Sequence, residues 1–116
     1  REVLNLTKNN LINSAAHITG GGLIENILRS IPDQLSLNID FSKIKATKIF
    51  KWIKSNNISD REMLKTFNCG IGFCLIADRK NISKIKKFFS KDYMPYEIGF
   101  VSKNKNKINT HNKIKW

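Results

Sequence analysis

A histidine and a threonine lead into three consecutive glycines in the segment His17-Ile18-Thr19-Gly20-Gly21-Gly22. Small apolar residues before the segment predict a buried strand, and the residues after it have the apolar spacing of a helix. Glycines let backbone N–H groups approach an anion, and a helix start offers unpaired donors. The segment therefore indicates a phosphate-binding loop. A triple glycine is neither the dinucleotide fingerprint nor the P-loop pattern, however, and a structural turn explains the spacing equally well.

His17 and Thr19 share a parity along the predicted strand, so both side chains should emerge on one face. On that face an imidazole and a hydroxyl would reach the same bound group, with His17 as an acid, a base or a donor to phosphate. The other interpretation is a histidine that is hydrogen-bonded inside the core. Spacing alone favours this second interpretation.

The two cysteines, Cys69 and Cys74, are predicted to be reduced and unreactive. They lie around an apparent strand at an odd offset, which sends their side chains to opposite faces and disfavours a mutual disulfide. No histidine or acid stands near Cys69 in the sequence to activate it, so a buried thiol is favoured over a nucleophile. Together with His17 and His111 the cysteines do not match a zinc spacing, and no metal site is predicted.

The positioning elements follow from the apolar periodicity. Asn9-Asn10, Pro32-Asp33 and the capping pattern of Ser59 and Glu62 mark boundaries between them. The predicted helices cover 1–8, 24–31, 44–55, 59–65 and 81–90, and the predicted strands cover 14–18, 35–39, 71–77 and 96–101. The strand within 71–77 is apolar on both faces, which predicts the middle of the sheet. Alternating strands and helices predict an α/β or α+β fold with a mixed sheet flanked by helices.

Length and composition predict one domain over 1–102, followed by a basic tail over 103–116. The tail is rich in lysine and asparagine, so it is expected to be solvated, either disordered or with a short edge strand at 113–116. No apolar run reaches the length of a membrane helix, and the start of the sequence lacks the features of a signal peptide. A cytoplasmic location without membrane contact is expected.

The net charge of +12 raises the alternative of a basic nucleic-acid-binding module. The lysines of the chain are spread along the whole sequence, however, and accompany many asparagines and isoleucines. A dedicated nucleic-acid surface would show arginines interleaved with aromatic residues, and none of the arginines lies in an aromatic cluster. Nucleic acid is therefore not the expected partner.

Two separated blocks resemble the C-terminal domain of aminoimidazole ribonucleotide synthetase, also called phosphoribosylformylglycinamidine cyclo-ligase. The first block runs from Ala16 to Ile27 and the second from Glu62 to Gly72, with supporting matches at 49–53 and at Ile98-Gly99. They occur in the family's order and at its distances, over residues 14–101.

The sequence departs from the family pattern at a few positions. Leu28 and Lys65 stand where proline and arginine are expected, and the segment after Val101 matches nothing in the family. None of these departures removes a candidate anion-binding backbone group.

The resemblance implies a partly ferredoxin-like topology and an ATP-dependent ring closure. In that reaction ATP phosphorylates the amide oxygen of formylglycinamidine ribonucleotide, and phosphate leaves when a substrate nitrogen closes the imidazole ring. The resemblance also implies ATP and Mg²⁺ as cofactors of the full-length enzyme, which is expected to be a homodimer. Both cofactors would be bound chiefly by an N-terminal domain, so this chain alone is expected to bind neither and to be inactive.

The resemblance gives the two clusters roles in one cleft. It makes His17 and Thr19 the candidate catalytic residues and Gly20 to Gly22 the phosphate-binding residues. Asn68, Cys69, Gly70 and Gly72 would form a backbone turn that lines or supports the cleft.

Overall fold

The chain contains five short α-helices, three 3-10 helical turns and five strands, and the computed structural model describes all 116 residues. The helices are α1 (Glu2–Lys8), α2 (Gly22–Leu28), α3 (Lys48–Lys54), α4 (Asp60–Thr66) and α5 (Ile82–Lys86). The strands are β1 (Ser14–His17), β2 (Ser36–Asp40), β3 (Phe73–Ile76), β4 (Gly99–Ser102) and β5 (Ile108–His111). Each predicted helix is present, although most are shorter than their apolar stripes.

The strands form two separate sheets. The larger sheet has the order β4-β2-β5, in which β2 runs antiparallel to β4 and parallel to β5. The smaller sheet pairs β1 with β3 in antiparallel orientation. The predicted fold class, α+β with a mixed sheet and helices packed against it, is confirmed.

The centre of the mixed sheet is β2, and the prediction of a central strand within 71–77 is wrong. Residues from that segment form β3, which pairs only with β1 and leaves Phe73 47% exposed. Ile71 is buried, but it follows a turn in which Cys69 and Gly70 have positive φ angles. The side chain of Ile71 is therefore buried because it packs beneath this turn, and not because it lies in a strand that is covered on both faces.

Strand β2 is buried on both faces although its sequence alternates apolar and polar residues. Leu37 and Ile39 face the apolar core, while Ser36 and Asn38 are buried on the other face. Asn38 Nδ2 donates to Ser102 Oγ at 2.9 Å, and Ser36 Oγ donates to the Asn104 carbonyl at 3.1 Å. Because residues in and after β4 supply these partners, the polar side chains are buried without loss of hydrogen bonds.

Helix α2 packs on α4, and both contribute to the main core cluster. Leu23 and Ile27 of α2 and Met63 of α4 are buried in it with Ile39 of β2. The start of α4 was predicted from its capping pattern, and Ser59 Oγ does accept a hydrogen bond from the Glu62 N–H at 3.2 Å. The Glu62 carboxylate instead accepts from Thr66 Oγ1, so only half of the reciprocal cap forms.

The segment 103–116 is packed against the rest of the chain. Its edge strand is β5 at Ile108–His111 and not at 113–116, and Ile114 is only 6% exposed within the core cluster. Trp116 Nε1 donates to Asp60 Oδ1 at 2.9 Å. Lys107 Nζ donates to three backbone carbonyls of residues 32–35. The prediction of a solvated tail rested on the high lysine and asparagine content of this segment, and it did not account for these few anchoring residues.

No helix in the structure has both the length and the apolar character that crossing a membrane requires.

Candidate functional site

The two predicted clusters meet at one end of the β1–β3 sheet. His17 lies opposite Phe73 in the strand register, and the Ile18 N–H donates to the Gly72 carbonyl at 3.0 Å. The loop after β1 is thereby joined to the loop before β3. The segments 17–22 and 68–72 are therefore neighbours in the fold, although they are more than forty positions apart in the sequence.

The glycine loop presents three consecutive backbone donors. The N–H groups of Thr19, Gly20 and Gly21 donate no hydrogen bond within the chain. Thr19 and Gly20 are exposed, and Gly21 is half-buried with a φ of +94°. Unpaired donors on adjacent residues are the arrangement with which a loop contacts an anion.

Asn26 holds the loop from the side of the helix. Its Nδ2 donates to the Gly22 carbonyl at 2.7 Å and to the Gly20 carbonyl at 3.2 Å, with a longer contact of 3.4 Å to the Thr19 carbonyl. By binding the loop carbonyls, this amide leaves the loop N–H groups available. The sequence analysis assigned no role to Asn26. Its contacts depend on the path of the folded loop, which the residue types and their spacing do not specify.

His17 is exposed, which excludes the interpretation of a histidine hydrogen-bonded in the core. Its ring lies against Phe73 at 5.8 Å between centroids, and its side chain forms no hydrogen bond within the chain. Ile18 is only 2% exposed, whereas His17 and Thr19 on either side of it are both exposed. This alternation of exposure is the pattern on which the prediction of a shared face rests.

The glycines divide into two kinds. A Cβ on Gly22 would lie 1.9 Å from the Leu64 carbonyl oxygen, and one on Gly70 would lie 3.1 Å from the Lys45 carbonyl oxygen. Both have positive φ angles, so packing and backbone conformation explain them. A Cβ on Gly20 or Gly72 would meet nothing within 4 Å. No contact within the chain requires glycine at these two positions, which leaves open space for a ligand.

Gly22 therefore leaves the candidate anion site. Its residue is buried, and its N–H donates to the Thr19 carbonyl at 3.3 Å. The sequence analysis gave Gly20, Gly21 and Gly22 the same role. The structure shows that Gly22 is required by the close approach of α2 and α4. Thr19, Gly20 and Gly21 remain as the candidate contacts.

The Asn68–Gly72 turn has a structural explanation for most of its residues. Asn68 Oδ1 accepts from the Gly70 N–H at 2.9 Å, and the Cys69 thiol lies 3.6 Å from the Met63 carbonyl. This turn supports the loop at 17–21 through the Gly72 carbonyl. Of its residues, Gly70 and Gly72 are exposed on the surface.

Both cysteines are free, as predicted. Burial raises the pKa of the Cys69 thiol to about 11, with a further contribution from the Asp60 charge, and burial raises that of Cys74 to about 12. At neutral pH both are uncharged thiols, which makes them poor nucleophiles. The interpretation of Cys69 as an unreactive buried thiol agrees with this environment.

The charge nearest to the glycine loop is acidic. A Cβ on Gly21 would lie 2.9 Å from Glu25 Oε2, and the same carboxylate pairs with Arg29 one helical turn later. The ion pair balances the negative charge that would otherwise repel an anion. No three His, Cys, Asp or Glu side chains are grouped so as to hold a metal ion.

The fold and the site together define an α+β domain whose glycine-rich loop is supported by a second loop from the neighbouring strand. Residues 1–111 match the family model described as "AIR synthase related protein, C-terminal domain". The chain belongs to this family.

Curated relatives carry names from purine biosynthesis. The chain is 45% identical over 105 residues to the phosphoribosylformylglycinamidine cyclo-ligase of Ligilactobacillus salivarius, covering 89% of this chain and 30% of that protein. It is 41% identical over 107 residues to the enzyme of the same name from Streptococcus pneumoniae, covering 91% and 31%. It is also 46% identical over 82 residues to the trifunctional purine biosynthetic protein adenosine-3 of Chironomus tentans, covering 70% and 6%.

The chain spans less than a third of the length of each of these relatives. It therefore resembles one domain of the named ligase. The match reaches across both loops and extends to residue 111, beyond the segment in which the sequence alone showed a resemblance.

Proposed function

We propose that this chain is the C-terminal part of a cyclo-ligase that converts formylglycinamidine ribonucleotide and ATP to aminoimidazole ribonucleotide in purine biosynthesis. The family match and the names of the relatives support the reaction. The observation that carries the role of this domain is the run of unpaired N–H donors at Thr19, Gly20 and Gly21. In this proposal they bind a phosphate group of a substrate.

The loop is suited to this role because its donors are already oriented before a ligand arrives. Asn26 binds the carbonyl oxygens of the loop, and β1 is fixed to β3 immediately before it. Donors held in place lose little freedom on binding, which favours affinity. The absence of a side chain at Gly20 leaves room for close approach.

His17 and Thr19 complete the proposed contact. Both residues are exposed, and both adjoin the loop N–H groups in the sequence. The Thr19 hydroxyl would donate to a phosphate oxygen, and the imidazole of His17 would donate to the phosphate or transfer a proton during ring closure. Phe73 stacks on one side of the imidazole and limits its movement.

In phosphate-transfer sites Mg²⁺ is held by one or two carboxylates together with the phosphates of the nucleotide. ATP needs more phosphate contacts than one short loop provides. We therefore assign Mg²⁺ and most of the ATP contacts to the remainder of the longer enzyme. That enzyme is proposed to be a cytoplasmic homodimer, as the family resemblance implies.

Inorganic phosphate should bind weakly to the isolated chain at the glycine loop, with a dissociation constant on the order of millimolar. In an amide NMR titration the largest shifts should occur at Thr19, Gly20 and Gly21. A His17→Gln variant should weaken phosphate binding, because it removes the imidazole donor that lies beside the loop.

Gly20→Val is the informative variant, because its side chain would occupy open space and would leave the packing intact. We expect it to weaken phosphate binding about tenfold, by loss of backbone contacts worth about 1.4 kcal/mol. Lys105→Gln, in the exposed loop before β5, is the charge control and should bind normally. If the shifts instead map to residues 103–115 and spare the loop, the glycine run is only a turn and a basic binding surface is favoured.

A further inference from the structure

A groove lies between α2, α4 and β5, beside the glycine loop, with a volume of about 500 Å³. Five apolar side chains line it, from α2, α4, β5 and the turn that follows β2: Ile24, Leu28, Phe41, Leu64 and Ile108. The other side chains that line it are polar or charged, so apolar and polar groups face the same open groove.

One rim of this groove carries two unpaired cations. Arg61 and Lys65 lie one turn apart on α4, a spacing that places their side chains side by side. Neither takes part in any of the four ion pairs of the chain. On the opposite rim the Glu25 carboxylate is already paired with Arg29. The groove therefore combines apolar side chains with positive charge along one side.

We propose that this groove binds a phosphate monoester with a compact apolar body. Two adjacent cations match the charge of a phosphate monoester, which is close to −2 at neutral pH. The apolar body would cover Ile24, Leu64 and Ile108, of which Ile108 is 37% exposed in the structure. The inference goes beyond the cyclo-ligase proposal, because it uses the side chains of α4 and not the backbone donors of the loop.

The test uses phenyl phosphate, with inorganic phosphate and phenol as the two partial ligands. Binding to the isolated chain is followed by NMR of the isoleucine and leucine methyl groups. Phenyl phosphate should shift the methyl groups of Ile24, Leu64 and Ile108 and should bind at least about tenfold more tightly than phenol. Inorganic phosphate should leave these methyl groups unshifted.

Arg61→Gln should weaken phenyl phosphate binding about fivefold, which is the range for losing one charged contact at an exposed site. Lys51→Gln on α3 changes the net charge equally but lies outside the groove, so it should have no effect. Equal weakening by both variants, or equal affinity for phenol and phenyl phosphate, would overturn the inference.

The groove and the glycine loop are distinguished by where the shifts occur. If phenyl phosphate moves only the amides of Thr19 to Gly21 and spares the groove methyl groups, the groove inference fails and the loop proposal stands. If the methyl groups respond and the loop amides do not respond to either phosphate, the loop proposal fails and the groove remains.

Discussion

Gly22→Ala should destabilise the protein by about 2 to 5 kcal/mol. Part of this cost is the positive φ of +72°, which disfavours a residue with a Cβ by about 1 to 2 kcal/mol. The rest is overpacking, since the Cβ would lie 1.9 Å from the Leu64 carbonyl oxygen. That oxygen belongs to the α4 backbone, so α2 and α4 would have to separate, at a cost of about 1 to 3 kcal/mol.

Urea denaturation followed by circular dichroism measures this effect. Gly20→Ala is the matched control, because its Cβ would meet nothing within 4 Å and should change stability by no more than about 0.5 kcal/mol. A Gly22→Ala protein as stable as Gly20→Ala would show that α2 and α4 are not in close contact.

Ile114→Ala should lower the free energy of unfolding by about 2 to 5 kcal/mol, the usual range for truncating a buried isoleucine. Ile114 is 6% exposed and belongs to the core cluster, although it lies in a segment that reads as a solvated tail. Truncation would leave a cavity between the C-terminal segment and the core.

Ile49→Ala provides the comparison, because Ile49 is 56% exposed on α3. This substitution should change the free energy of unfolding by no more than about 0.5 kcal/mol. Midpoints of thermal or urea unfolding separate the two variants. If both variants unfold at the wild-type midpoint, the segment after residue 103 contributes nothing to the core.

Local features of the fold were predictable from the sequence. The apolar stripe of α2 and the Ser59 cap of α4 are determined by residues within a few positions of each other. The centre of the mixed sheet was not predictable. The apolar run at 71–77 has the pattern of a central strand, yet β2 lies at the centre between β4 and β5. Distant residues such as Ser102 supply hydrogen bonds that allow Asn38 of β2 to be buried.

The candidate site divides in the same way. The parity of His17 and Thr19 predicted that both would be exposed on either side of a buried Ile18, since alternation is a local property of a strand. The separate role of Gly22 depends on Leu64, and the role of Asn26 depends on the folded path of the loop. The position of Arg61 and Lys65 beside a groove depends on how α2 and β5 pack next to α4, which no local pattern in the sequence specifies.

The most direct test of the proposed function is turnover by a chimaeric enzyme. The chain would replace the matching segment of the Ligilactobacillus salivarius cyclo-ligase, to which it is 45% identical over 105 residues. The chimaera should convert formylglycinamidine ribonucleotide and ATP to aminoimidazole ribonucleotide, whereas the isolated chain should not. Gly20→Val should lower kcat/KM at least about tenfold, equivalent to about 1.4 kcal/mol, and Lys51→Gln should leave it unchanged. A folded chimaera without activity, or one in which Gly20→Val has no effect, would contradict the account.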